Sequence, residues 1–253
     1  MLDIVIATRN RHKFRELKAL LALPGIRWRS LADFPAVPSP AERGRTFDAN
    51  ATHKARSVAK ATGLLTLADD SGLEVEALDG APGVRSARFA GAHGDDRANN
   101  EKLLRALDGL PAMERRARYR CSLALARSGS SERRAGARPG VSEGRAGARP
   151  GSSERRAGAH PSRLIAITRG AWQGRIALTS RGQGGFGYDP IFLVPRLGKT
   201  VGELPASTKQ RLSHRALAAR RMRSTLRRLV VRRATAPTRA GFVGGRWGQG
   251  RTA

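Results

Sequence analysis

The chain holds one cysteine, Cys121, and only 20 acidic residues against 48 basic ones in 253. A lone cysteine inside the apolar stretch Tyr119 to Ala126 argues against a disulfide framework and reads as a small core residue. No apolar run approaches the roughly 20 residues that a membrane-spanning helix needs. The opening segment, Met1 to Ala7, is too short and too acidic for a signal peptide, so the cytoplasm is the expected location. The shortage of acid leaves a net charge of +28. Such a charge suits an anionic ligand or partner, but does not choose between nucleotide, nucleic acid and acidic surface.

Much of the excess is local. Residues 130–162 carry seven Arg and three Glu, residues 216–253 carry ten Arg and no acid, and the two segments hold +14 of the +28. The first contains an 11-residue unit three times over: SSERRAGARPG, VSEGRAGARPG and SSERRAGAHPS. Gly or Pro in every unit excludes a helix, and with Val141 as its one large apolar residue the segment cannot offset its ordering entropy. It lies between two strand-like runs, so a disordered expansion of a hairpin loop over 128–162 is expected, at little cost in closure entropy. Residues 234–253 read as a disordered basic tail. What is left of 1–233 is about 200 residues, the size of one domain.

That body alternates. Strand-like runs at 2–7, 64–68, 73–78, 117–126, 163–168, 174–179 and 191–194 interleave with helical patterns at 11–22, 47–61, 97–108 and 214–233. The predicted class is α/β, a mixed central sheet flanked by helices, with antiparallel hairpins over 117–179.

The most informative segment is Leu64 to Val75, LLTLADDSGLEV, in which Asp69-Asp70 follows a buried apolar run. Two carboxylates there are expensive unless something positive compensates them. Adjacent strand residues point to opposite faces, so the two have different tasks. Ser71-Gly72 reads as a turn or bulge, in which one carboxylate either caps backbone amides, as in an Asx-type turn, or holds a divalent cation or activates a water.

Four further clusters bear on chemistry. Thr8, Arg9, Asn10, Arg11, His12 and Lys13 lie where the first strand turns into a helix, a place where backbone amides and Lys13 can cradle a phosphate. Glu42, in a Pro-rich loop ahead of the helix capped by Thr46, could supply a second oxygen ligand to a metal. Gly184 to Pro190, GGFGYDP, is a Gly-rich loop in which Phe186 or Tyr188 could stack on a planar base. Finally Lys209, with Ser213 as cap and His214-Arg215 after it, opens the last helix; cations in a first helical turn oppose the macrodipole unless an anionic or acceptor-rich ligand uses them.

In this order, Asp-Asp-Ser-Gly, Gly-Gly-Phe-Gly-Tyr-Asp-Pro and Ser-His-Arg resemble the inosine triphosphate pyrophosphatase family, over roughly 1–127 and 163–230. The resemblance implies an elongated two-lobed α/β fold with a cleft, usually a homodimer, and magnesium-dependent cleavage of non-standard purine nucleoside triphosphates (ITP, dITP, XTP) to monophosphate and pyrophosphate. Carried over residue by residue, it makes Asp70 the proton acceptor and, with Glu42, a magnesium ligand, which leaves Asp69, on the opposite face, to support the turn. Thr8 to Lys13 become triphosphate contacts and Ser71 a further substrate contact. Phe186, Gly187, Tyr188, Asp189, Lys209, His214 and Arg215 become the nucleoside set. Two positions depart from the family pattern: Arg9 stands where Gly is usual, and Ala49 where an acidic residue is common. A Maf-like pyrophosphatase of other base preference, or a nucleic-acid-binding protein using the Arg-rich repeat and tail, are the alternative readings.

Overall fold

The computed structural model describes residues 1–92, 94–129 and 161–235. The expected disorder of the repeat and the tail falls almost wholly outside them. Seven strands, β1 (Leu2–Ile6), β2 (Ile26–Ser30), β3 (Leu65–Val75), β4 (Arg116–Arg127), β5 (Arg163–Ile176), β6 (Phe192–Val194) and β7 (Lys199–Thr200), form one open sheet in the order β2-β1-β3-β4-β5-β6-β7. β1 runs parallel to β2 and β3, and every other neighbouring pair is antiparallel. The sheet is mixed, as the alternation of patterns predicts.

Helices cover both faces. α1 (Arg11–Leu20) and α5 (His214–Ala234) lie on one, where Leu17, Leu21, Met222 and Leu226 close over Ile4, Ile6, Leu67 and Leu123. α2 (Phe47–Thr62) lies on the other and presents Ala51, Ala55, Val58 and Ala59 to Val5, Ala68 and Ala124. This double cover is why β1 is an unbroken apolar run rather than an alternating one. α3 (Asp96–Ala106) builds a second lobe, packing Leu103 and Leu107 with Leu73, Tyr119, Trp172 and Phe192. β3 and β4 pass through both lobes, so the lobes share a sheet and the groove between them has a rigid floor. Polar caps set the helix starts: Asn10 accepts from the His12 and Lys13 amides, Thr46 from Ala49, and Ser213 from Ala216.

The structure corrects the sequence reading in three places. Run 64–68 and the start of run 73–78 join in one strand, the end of the latter (Glu76–Leu78) being a 3-10 turn, and Ser71-Gly72 is neither turn nor bulge: pairing with β4 is unbroken from Thr66↔Ala126 to Val75↔Ala117. Gly72 answers to crowding, since a Cβ there would lie 2.6 Å from the Gly83 carbonyl and 2.9 Å from the Phe47 ring. Runs 163–168 and 174–179 are likewise one strand, β5. Its Gly170 lets the start of α5 approach, as a Cβ would lie 2.8 Å from the Ala218 nitrogen. Lys209 belongs to a separate short helix, α4 (Ala206–Leu212), and the chain breaks at Ser213 (ψ 157°) before α5 begins. The short edge strands β2 and β7 and the helix α4 carry too little periodicity to be seen in the sequence. Among the described residues no helix is long and apolar enough to cross a membrane.

Candidate active site

β1 ends at Ile6, and Thr8 to Lys13 then lead into α1 beside the middle of β3. A cleft of about 480 Å³ opens there. Its floor is Asp69 and Asp70, 4 % and 5 % exposed. The pleat sends the two carboxylates to opposite faces, as expected, and the two faces differ completely.

Asp69 points to the α1/α5 side. Its Oδ2 lies 3.1 Å from Lys13 Nζ and 3.4 Å from Arg215 Nη2, and the Ser71 hydroxyl and the Cys121 thiol donate to its oxygens at 3.1 Å. Burial pushes its carboxyl pKa up, but Arg215 and Lys13 outweigh that and hold it well below the usual carboxylate range. Asp69 therefore supports no turn, contrary to the sequence reading; it is the counter-ion of two cations. Arg215 is fully buried, and Nη1 is also paired with Glu16 at 2.7 Å. Asp69 and Glu16 offset the cost of a cation in the first turn of α5. Burial and the neighbouring Asp69 raise the Cys121 thiol well above its ordinary value, so it stays protonated, a core residue as expected.

Asp70 points to the α2 side. Lys54 Nζ donates to Asp70 Oδ1 at 2.8 Å, to Glu42 Oε1 at 2.9 Å and to the Asp69 carbonyl at 2.7 Å, while Asn50 donates to Asp70 Oδ2 at 3.2 Å. Burial raises the Asp70 pKa, Lys54 pulls against it without cancelling it, and the Glu42 charge adds to the rise. For Glu42 burial also acts upward, but Lys54 prevails and the pKa is lowered. Arg88 steadies Glu42 further, donating to its carbonyl at 3.1 Å. Glu42 and Asp70 thus converge on a single ammonium group. Two carboxylates facing the cleft form a donor set that suits magnesium, which uses one or two carboxylates together with substrate oxygens. Among the described residues no cluster of three or more His, Cys, Asp or Glu side chains could hold a metal.

At the other end lies the Gly-rich loop. The Phe186 ring sits 4.2 Å from Lys209 Nζ and 5.6 Å from the Arg215 guanidinium. Asp189 is buried, accepting from Lys209 Nζ at 2.5 Å, from the Phe186 amide at 2.9 Å and from the Tyr119 hydroxyl at 3.1 Å. Burial raises its pKa despite Lys209. Gly185 (φ +83°) is needed because a Cβ would collide with that carboxylate. Tyr188 is buried in the core with its hydroxyl on the Ser86 carbonyl (2.8 Å), which leaves Phe186 as the part-exposed aromatic of the loop. Gly187 is held at both of its backbone polar groups, its N–H by Asp96 (2.6 Å) and its C=O by Asn100 (3.1 Å), one turn apart on α3. His214 stacks on Tyr119, centroids 4.6 Å apart, and its Nδ1 has no hydrogen-bond partner among the described residues. Burial drives its pKa well below 6.5, so the imidazole is neutral.

The expected residues thus meet in one cleft, lined by Thr8, Arg9, Asn10, Lys13, Glu42, Asp70, Ser71, Phe186 to Asp189, Lys209, His214 and Arg215. Arg11 and His12 do not line it; both are exposed on α1, though the His12 ring lies 5.9 Å from Phe186. Arg9 needs no glycine-like backbone, and its guanidinium ties down the following loop by donating to the Val37 carbonyl at 2.7 Å. Next to Ala49, Asp48 faces away from the cleft to Ser122 and Arg169, the latter at 2.7 Å from Nε. The sequence reading missed Asn50, Lys54, Arg88, Asp96 and Tyr119. The i, i+4 spacing of Asn50 and Lys54, which puts both on one helix face, was the signal available.

An open mixed sheet whose cleft joins a carboxylate pair, a Lys-bearing strand-to-helix turn and a cation-flanked aromatic defines an α/β protein whose cleft suits a planar, polyanionic ligand. Comparison with known proteins sharpens this. The Ham1 family model matches residues 4–155 and 156–225, and the chain belongs to that family. It is 42% identical over 218 residues to the dITP/XTP pyrophosphatase of Geobacillus kaustophilus, covering 86% of this chain and 91% of that one. It is also 42% identical to the dITP/XTP pyrophosphatase of Thioalkalivibrio sulfidiphilus, over 87% of this chain and 95% of the relative. Among solved structures, a HAM1 protein from Coxiella burnetii superposes with a TM-score of 0.69 at 37% identity, covering 90% of this chain and all of that one.

Proposed function

We propose that the protein hydrolyses non-standard purine nucleoside triphosphates, ITP, dITP and XTP, to the monophosphate and pyrophosphate. The observation that carries this reading is the convergence of Glu42 and Asp70 on Lys54 within a cleft whose other walls are Lys13, Phe186, Lys209 and Arg215.

Thr8, Asn10 and Lys13 bind the triphosphate at the start of α1, where backbone amides and a lysine offset its charge. Lys54 lies against both carboxylates and is the cation nearest the reacting end. Glu42 and Asp70 would hold magnesium, which supplies charge neutralisation at the phosphates. Asp70 accepts a proton as a water oxygen forms its bond to the α-phosphorus; the α–β bridging P–O bond breaks, and its electron pair leaves with pyrophosphate. A carboxyl with a raised pKa is better matched to accept that proton than one held as low as Asp69. Ser71 contacts the substrate from the Asp69 side of the strand.

At the base, Phe186 offers its face. Lys209 and Arg215 supply donors suited to the 6-oxo group and N7 of hypoxanthine or xanthine, and His214 lines the same end of the cleft. Adenine presents an amino donor at that edge, and the donor–donor mismatch would cost about 1–3 kcal/mol. The homodimer implied by the resemblance belongs to this proposal also, and sedimentation of the full chain tests it. The test of the reaction is product analysis over a triphosphate panel that includes modified pyrimidines. Monophosphate and pyrophosphate from inosine and xanthosine triphosphates are expected; release of orthophosphate, or preference for a pyrimidine, would overturn the reading.

A further inference from the structure

α1 and α5 lie side by side on one face of the sheet, joined through Leu17, Leu21, Met222 and Leu226 and by a bond from Arg223 Nη1 to the Leu20 carbonyl. The two helices contain one carboxylate between them, Glu16, and it is held inside the fold by Arg215. The exposed charged residues on their outward face are all basic. Arg220, Arg221, Arg227, Arg228 and Arg232 are exposed on α5, in a single arc whose other exposed residues are Ser224 and Val231. Arg11, Arg15 and Lys18 are exposed on the neighbouring α1. Among the described residues none of these eight cations is ion-paired, and none lines the cleft.

Like charges at helical spacing repel one another, and solvated helix faces ordinarily offset this with i, i+4 acid–base pairs. Here the repulsion stands uncompensated, and a polyanion lying across the face would reverse its sign. The residues present narrow the choice of polyanion. With no aromatic and only Val231 apolar, the α5 arc has nothing to insert into a bilayer and nothing to stack on unpaired bases. It offers charge alone, in a rigid row. From Arg220 to Arg232 the helix rises about 18 Å, an axial length over which a nucleic-acid duplex carries about ten phosphate charges.

We propose that the solvent face of α1 and α5 binds the phosphate backbone of duplex nucleic acid without reading its sequence. The surface is separate from the cleft and does not depend on the reading of the cleft given above. The test uses the full chain and a labelled DNA duplex of arbitrary sequence, with anisotropy followed between about 50 and 200 mM salt. The variant R220Q/R221Q/R227Q/R228Q/R232Q is compared with a control, R97Q/R105Q/R116Q/R196Q, that removes exposed arginines elsewhere. For each lost phosphate contact, the slope of log K against log salt should become shallower by about 0.9. At about 100 mM salt the α5 variant should bind at least about tenfold more weakly, with melting temperature and hydrolysis unchanged. Four results would overturn the proposal: no binding by the wild type, equal loss in the control, an unchanged slope in the α5 variant, or equal affinity for polyglutamate or anionic vesicles.

Discussion

Replacing Asp69 by Asn removes one negative charge from the point where Lys13 and Arg215 meet, and leaves the shape of the side chain intact. No cavity forms, so the effect is electrostatic. Arg215 is 2 % exposed and keeps Glu16 as its counter-ion, at 2.7 Å, with the Ser71 hydroxyl accepting from Nη2 at 2.8 Å, while Lys13 is part-exposed and can turn to water. Breaking a buried pair from one side costs about 3–5 kcal/mol. With Glu16 retained, the lower end applies, about 3 kcal/mol, which for a domain of this size lowers Tm by about 6–12 °C. The sign with pH is fixed by the depressed Asp69 pKa. Its stabilisation is fully present above the ordinary carboxylate value of 3.8 and is lost progressively as pH falls toward the folded value. Wild type and Asp69→Asn should therefore differ most at neutral pH and converge under acid, as read by circular dichroism melts. A Tm loss below about 2 °C at pH 7 would refute the assignment of Asp69 as the buried counter-ion.

The adjacent residue should behave in the opposite way. Asp70 has a raised pKa, so its ionised form is the costly one at neutral pH, and Asp70→Asn should leave Tm unchanged or higher while turnover falls about 10²–10⁴-fold. The same shift sets the acid limb of kcat/KM: activity should fall as pH drops through a value above 3.8, and a limb at or below 3.8 would contradict it. Asp96→Ala frees the Gly187 amide and should raise KM more than it lowers kcat. Asp96→Asn, which retains an acceptor oxygen, should restore KM, and failure to do so would argue against positioning of the loop by α3.

The architecture was legible where periodicity was long. β1, α2 and α5 follow from apolar runs and capping residues, and two of the three signatures that meet in the cleft were readable because the Gly-rich loop and the Ser213 cap place chemistry next to a turn or helix start, whereas Asp-Asp-Ser-Gly stands in mid-strand. What could not be read was crowding. Gly72 looks like a bend in one dimension and is a clearance in three, because Phe47 and Gly83 arrive from distant parts of the chain. The partners of Asp69 were hidden for the same reason: Arg215 is 146 residues away, and Lys13 belongs to another helix. Lys54 was hidden differently, being an ordinary helix lysine until the Pro-rich loop brings Glu42 within 2.9 Å.

The central claim, a carboxylate-paired cleft that selects 6-oxopurine triphosphates, is tested most directly by the ratio of kcat/KM for ITP to that for ATP, with and without magnesium. A mismatch of about 1–3 kcal/mol predicts a ratio of about 5 to 150, with pyrophosphate release lost when the metal is withheld. A ratio of about one, or release that persists in chelator, would contradict the account.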